Sequence, residues 1–165
     1  MFDKFGEFDS FDELNKAAEG FLKEGDLDSI RALAEENGLD KEEAEDYIAG
    51  YVPELATLYS AAFGRLTVEQ REVNKLKTLV ERLPLHVILV MTQGMATEES
   101  MAAAIMKKGK RISEIYKTMR EEASKHRVGN MGISCGTDRQ LCEIIMSYYL
   151  QSEQEFKKKI ADLYK

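Results

Sequence analysis

The chain of 165 residues has no tryptophan, and only two prolines, two cysteines and two histidines. Each shortage excludes something. Two cysteines, Cys135 and Cys142, cannot build a disulfide scaffold, and they fit a chain whose thiols stay reduced. His126, Cys135 and Cys142 are spaced nine and seven residues apart, unlike the short Cys-x-x-Cys pairs that chelate zinc. No metal and no cofactor are expected. His86 sits in an apolar run, where a core histidine is the plainer reading. The longest apolar stretch, Leu83 to Met91, falls far below the roughly 20 residues that span a bilayer. The opening Met1-Phe2-Asp3-Lys4 lacks the basic-then-apolar pattern of a secretory leader. A cytoplasmic protein without membrane contact is the expectation. There is no Gly-rich phosphate loop, no His-Glu-x-x-His and no Gly-x-Ser-x-Gly elbow. The chain is read as non-enzymatic, with no catalytic residues.

Charge, in contrast, is abundant and unevenly placed. Residues 1–60 hold 17 acidic side chains against 5 basic ones, a net of −12. Residues 61–165 hold 13 against 18, a net of +5, and the halves together account for the formal −7. This split divides the chain into an acidic helical module, 1–60, and a C-terminal helical domain, 61–165. An acidic front is built to meet a basic partner or to repel nucleic acid.

Apolar residues at 44% suffice for a packed core. Their period is helical nearly throughout, so the fold class is all-α, a multi-helix bundle. Ser10 and Glu13 form a capping box that opens a helix over 11–24, stopped by Gly25. Asp26 caps a helix over 27–37, Gly38 follows it, and Asp40 with Glu43 opens a third over 41–49. A short helix is expected over 54–63. Thr67 and Gln70 are read as the cap of another over 68–82, which Pro84 ends or restarts. The run from Leu85 to Met91 reads as a buried helix. Thr97 caps a helix over 98–108, a further piece covers 112–126, and 128–136 is a loop. Thr137 or Asp138 caps a last helix that continues to Tyr164.

The helix pair from Ile30 to Ile48 resembles a helix-turn-helix around Gly38. DNA reading is rejected, because the second helix sets Asp40, Glu42, Glu43, Glu45 and Asp46 against Lys41 alone, and phosphates would be repelled. Glu35, Glu36, Asp40, Glu42, Glu43, Glu45 and Asp46 are the candidate partner-binding surface. The plain alternative is a solvated acidic face. The counterpart is a basic stretch from Lys107 to Arg127. Within it Lys107, Lys108, Lys110 and Arg111 are candidate contacts to nucleic acid, unless they dock the acidic module or simply solvate a helix. Phe2, Phe5, Phe8 and Phe11 recur every third residue and read as an arm pinned by its rings, or as an anchor for a partner. The narrow stripe Phe156, Ile160 and Leu163 packs either on the same chain or on a second copy.

The segments MFDKFGEFDSFDELNKAAEGFLKEGD, LAEENGLDKEEAEDYI, TEESMAAAIMKKGKRI and GISCGTDRQLCEIIMSYYL resemble small acidic accessory proteins of integrative and conjugative elements of gut Firmicutes. The tail from Lys107 to Leu150 is similar to PcfK-like conjugation proteins, although the tryptophan expected in the last helix is absent. Such families include type II anti-CRISPR proteins. The resemblance implies an inhibitor of an RNA-guided CRISPR effector nuclease. The alternative it leaves is a mobile-element accessory protein that binds nucleic acid or the transfer machinery through its basic helices.

Overall fold

A computed structural model of the chain describes residues 1–127, 129 and 136–164. Among these, every regular element is helical: α1 (Phe11–Glu24), α2 (Leu27–Glu36), α3 (Lys41–Ile48), α4 (Leu58–Asn74), α5 (Leu79–Met95), α6 (Glu99–Ile105), α7 (Ile112–Lys125), α8 (Asp138–Leu150) and α9 (Glu153–Ala161), with a 3-10 turn at Asp162–Tyr164. The loop expected over 128–136, Cys135 included, lies outside the described residues except for Gly129 and Gly136.

The first three helices follow their local signals. The Ser10 hydroxyl accepts from the Glu13 N–H at 3.2 Å, and the Asp26 carboxylate accepts from the Ser29 N–H at 3.0 Å. The Glu43 carboxylate accepts from the Asp40 N–H at 2.9 Å. Gly25 adopts φ 74°, which closes α1 in the left-handed conformation.

The middle of the chain departs from the expectation. There is no break near residue 64 and no cap at Thr67; α4 runs unbroken from a reciprocal Thr57–Ser60 cap. Gly64 is a crossing point instead of a stop. A Cβ there would lie 2.4 Å from the Asn37 carbonyl oxygen, and one on Gly38 would lie 2.2 Å from the Gly64 carbonyl oxygen. Two glycines thus let the α2–α3 turn touch the α4 backbone. Helix α5 starts at Thr78, whose hydroxyl accepts from the Glu81 N–H at 3.3 Å. It carries Pro84 in its interior, at the loss of one backbone bond. The last helix does not continue to Tyr164 unbroken: the Ser152–Glu155 capping box restarts it as α9.

The run from Leu85 to Met91 is helical but only half covered. Leu85, Ile88 and Leu89 are buried, whereas His86, Val87 and Val90 face outward, so His86 is no core histidine; its Nδ1 lies 3.3 Å from Gln70 Nε2 at the surface. Periodicity cannot separate the two cases, because both faces are apolar.

One continuous core joins the halves. Leu14, Ile30 and Leu33 from the front belong to the same apolar cluster as Leu66, Leu89, Ile105, Ile115 and Ile145. The division expected between residues 60 and 61 falls inside α4, which packs on α1 as well as on α5 and α6. The stripe considered for a second copy is used within the chain. Phe156 and Ile160 are buried, and Phe156 meets Tyr148 edge to face at 5.1 Å. No helix among the described residues is long and apolar enough to cross a membrane.

Candidate partner-binding surfaces

Residues 1–9 form a strap without regular structure. The Phe5 ring meets Phe21 edge to face at 5.5 Å. The Lys4 and Phe5 N–H groups donate to the two oxygens of Glu36, at 2.6 and 2.9 Å. The Glu7 carboxylate then takes three donors: Arg65 at 2.5 Å, Arg111 at 2.7 Å and the Gly109 N–H at 3.0 Å. Asp9 accepts from the Lys108 N–H at 2.9 Å and from Lys107 Nζ at 3.3 Å. The Phe2 ring lies 4.9 Å from the Arg65 guanidinium and 5.6 Å from that of Arg111. The aromatic repeat therefore serves an arm pinned to its own chain.

The reason for so many contacts is Arg65. It is 1% exposed in α4, and a buried guanidinium persists only when paired and hydrogen-bonded. It also donates to the Phe8 carbonyl at 2.7 Å. One turn further along α4, Glu69 is buried and accepts from the Ile112 N–H at 2.8 Å through one oxygen, while its Oε1 has no partner among the described residues. Burial pushes the Glu69 carboxyl up to about 7, against the pull of that N–H, Arg111 and Arg65. Burial also acts to raise Glu7, but the bonds from Arg111 and Gly109 and the charge of Arg65 outweigh it and leave Glu7 below the usual range.

The seven candidate acids divide. Glu36 holds the strap, Glu43 caps α3, and Glu45 is gripped by Arg31 through bonds of 2.7 and 3.1 Å. Asp40 stands at the N-terminus of α3. Glu35, Glu42 and Asp46 are exposed, and their carboxylates have no ion pair among the described residues. The hollow between α2, α3 and α4, about 400 Å³, places Glu35 beside Arg31, Lys41 and Arg71, so that patch is mixed in charge.

The four candidate basic residues are largely occupied. Lys107 and Arg111 pair with Asp9 and Glu7. Lys110 Nζ donates to the Tyr148 carbonyl at 2.5 Å and lies over the Tyr148 ring at 4.4 Å. Only the side chain of Lys108 points outward without a partner among the described residues.

A groove of about 660 Å³ runs between α1 and the segment that joins α3 to α4. Asn15 fixes one wall by donating to the Ala56 carbonyl at 2.8 Å and accepting from the Ala56 N–H at 3.0 Å. Asp12, Glu19 and Glu54 line it against Lys16, with Leu22, Val52 and Pro53 as apolar surface. Tyr47, 5% exposed, borders the groove, and its hydroxyl has no hydrogen bond among the described residues; burial and the nearby Glu19 raise its pKa.

Sequence reasoning missed Glu7, Arg65, Glu69, Asn15 and Tyr47. A trace existed: Arg65 stands alone in the apolar run Ala61-Ala62-Phe63-Gly64-Arg65-Leu66, and Glu69 follows at helical spacing. Among the described residues no three His, Cys, Asp or Glu side chains group as a metal site would require. His126 stacks on Tyr164 at 4.3 Å and meets Glu122 at 3.2 Å. Cys142 is half-buried. Compared with protein families, curated proteins and solved structures, the chain has no match.

Proposed function

We propose that the protein is a non-enzymatic inhibitor that binds a basic surface of another protein through the acidic face of α2 and α3. The observation that carries this reading is an asymmetry of neutralisation. Among the described residues Glu35, Glu42 and Asp46 stay exposed and unpaired, whereas Lys107 and Arg111 are taken up by the chain's own carboxylates. The groove beside Tyr47 of α3 adds the exposed acids Asp12 and Glu54 to the front half. With the sequence resemblance, the partner is a type II CRISPR effector nuclease. Such enzymes hold nucleic acid in positive channels and read the motif beside the target with arginines. An acidic protein seated there blocks DNA binding or cleavage, and its charge speeds encounter at low salt.

The test is a pull-down against a panel of these nucleases, with and without guide RNA, followed by a cleavage assay. A salt-sensitive complex that stops cleavage is expected. Combined Glu35→Lys, Glu42→Lys and Asp46→Lys should abolish inhibition. Undiminished inhibition by that variant would remove the acidic face from the account.

A second reading is a mobile-element accessory protein that binds nucleic acid. Lys108, Arg120 and Lys158, exposed and unpaired among the described residues, favour it. Salt-sensitive gel shifts of single- or double-stranded DNA that vanish when these three become Ala would place it first.

A further inference from the structure

Between Arg82 and Glu98 the chain has fifteen residues without Asp, Glu, Lys or Arg, although 32% of all residues are charged. Nearly all of them lie in α5. At 100° per residue, Leu85, Ile88, Leu89 and Thr92 share the face turned to the core. Val80, Leu83, Val87 and Val90 share the opposite face, at spacings of three, four and three. That is the spacing of a coiled-coil seam, and its residues are the branched types such seams use. The core does not cover it: Leu79 is 62% exposed, Val80 79%, Leu83 53%, Val87 39% and Val90 52%.

We propose that this face is a contact between two copies of the chain, with α5 packed antiparallel on α5 about a two-fold axis near Leu85. In that register Val80 lies opposite Val90 and Leu83 opposite Val87, each pair occurring twice, so four apolar layers stack without a charged one. The ends set the direction. Lys77 precedes α5, Glu98 and Glu99 follow it, and all three are exposed without an ion pair among the described residues. In that register Lys77 falls opposite Gln93, roughly 8 Å along the axis from Glu98 and Glu99 of the other copy, whereas parallel packing sets like charge on like. An isologous contact of this kind closes at two copies. The exposed parts of the five side chains amount to roughly 500 Å² per copy, so two copies reach about 1,000 Å², the lower bound for a specific interface. The dimer is therefore concentration-dependent.

Light scattering and sedimentation of the full chain over a concentration series test this. The apparent mass should approach twice the monomer mass. Val87→Lys should weaken association about tenfold or more, with an unchanged helical circular dichroism spectrum. Val80→Lys, at the most open seam position, should do the same and guards against a folding defect in the first variant. Direction is read by cross-linking in a Cys135→Ser, Cys142→Ser background: Val80→Cys chains mixed with Val90→Cys chains should form the mixed disulfide. A monomer at every concentration up to roughly 1 mM, a dimer that survives both lysines, or cross-links only between identical cysteines would each overturn the proposal.

Discussion

Among single residues, the most demanding is Arg65, because among the described residues its one acidic hydrogen-bond partner, Glu7, comes from the strap, far from it in sequence. Glu7 stands between two guanidiniums, and neither Phe8 nor Phe2 can replace its charge. Glu7→Ala leaves Arg65 buried without an anion and should cost about 3 kcal/mol in urea denaturation. Asp3→Ala, at an exposed position in the same strap, should stay within about 0.5 kcal/mol. Glu69 predicts a pH dependence. Its folded value, about 7, lies above the ordinary 4.5, so the folded state binds the proton more tightly. The stability this adds is fully present below pH 4.5 and is lost as pH rises through 7, a loss of at most about 3 kcal/mol. Glu7 is lowered, so its contribution is present above the ordinary value and is lost as pH falls through the folded one. Glu69→Gln should flatten the profile between pH 4.5 and 7 and make the variant more stable than the native chain at pH 8. An unchanged slope in denaturation midpoints across that window would refute the assignment.

At the scale of helices, α4 sets the arrangement of the front half on the back. Its crossing with the α2–α3 turn depends on Gly38 and Gly64 together. Alanine is favoured over glycine inside a helix by about 1 kcal/mol, so Gly64→Ala would stabilise an isolated α4. In the protein the added Cβ meets the Asn37 carbonyl, and a backbone group cannot swing aside. The net effect should be a loss of about 2 kcal/mol or more, seen as a lower melting temperature. This conflict also explains which elements were legible. The caps at Ser10, Asp26, Asp40 and Thr137 act within one turn, so residue type and spacing reveal them. Gly64, Thr67 and Pro84 carry the same local signals as real helix ends, yet packing overrides all three. Thr97 does not cap α6, because Glu98 takes the N-cap position and the Thr97 hydroxyl donates to the Gly94 carbonyl at 3.3 Å. Ser152 and Glu155 have the spacing of a capping box, but the apolar stripe that continues beyond them masks it in the sequence.

Over the whole molecule, the charge asymmetry is partly neutralised inside the fold. Glu7 and Asp9 of the acidic front are set against Arg65, Lys107 and Arg111 behind it. On the α2–α3 face, what remains outward is carried by Glu35, Glu42 and Asp46, which make no ion pair among the described residues. Their combined reversal to Lys should therefore leave the melting temperature nearly unchanged while it removes partner binding. Reversal of Glu36 or Glu45 would instead disturb the strap or the Arg31 clamp, and a loss of binding would then be ambiguous. By itself the sequence determined the helical class, most helix starts and the uneven charge, because periodicity, capping and composition are local or additive properties of the chain. Only the tertiary structure decided which charges are spent on each other and which face of α5 is left open. Both depend on contacts between residues far apart in sequence, such as Glu7 with Arg111, and no local pattern encodes that proximity.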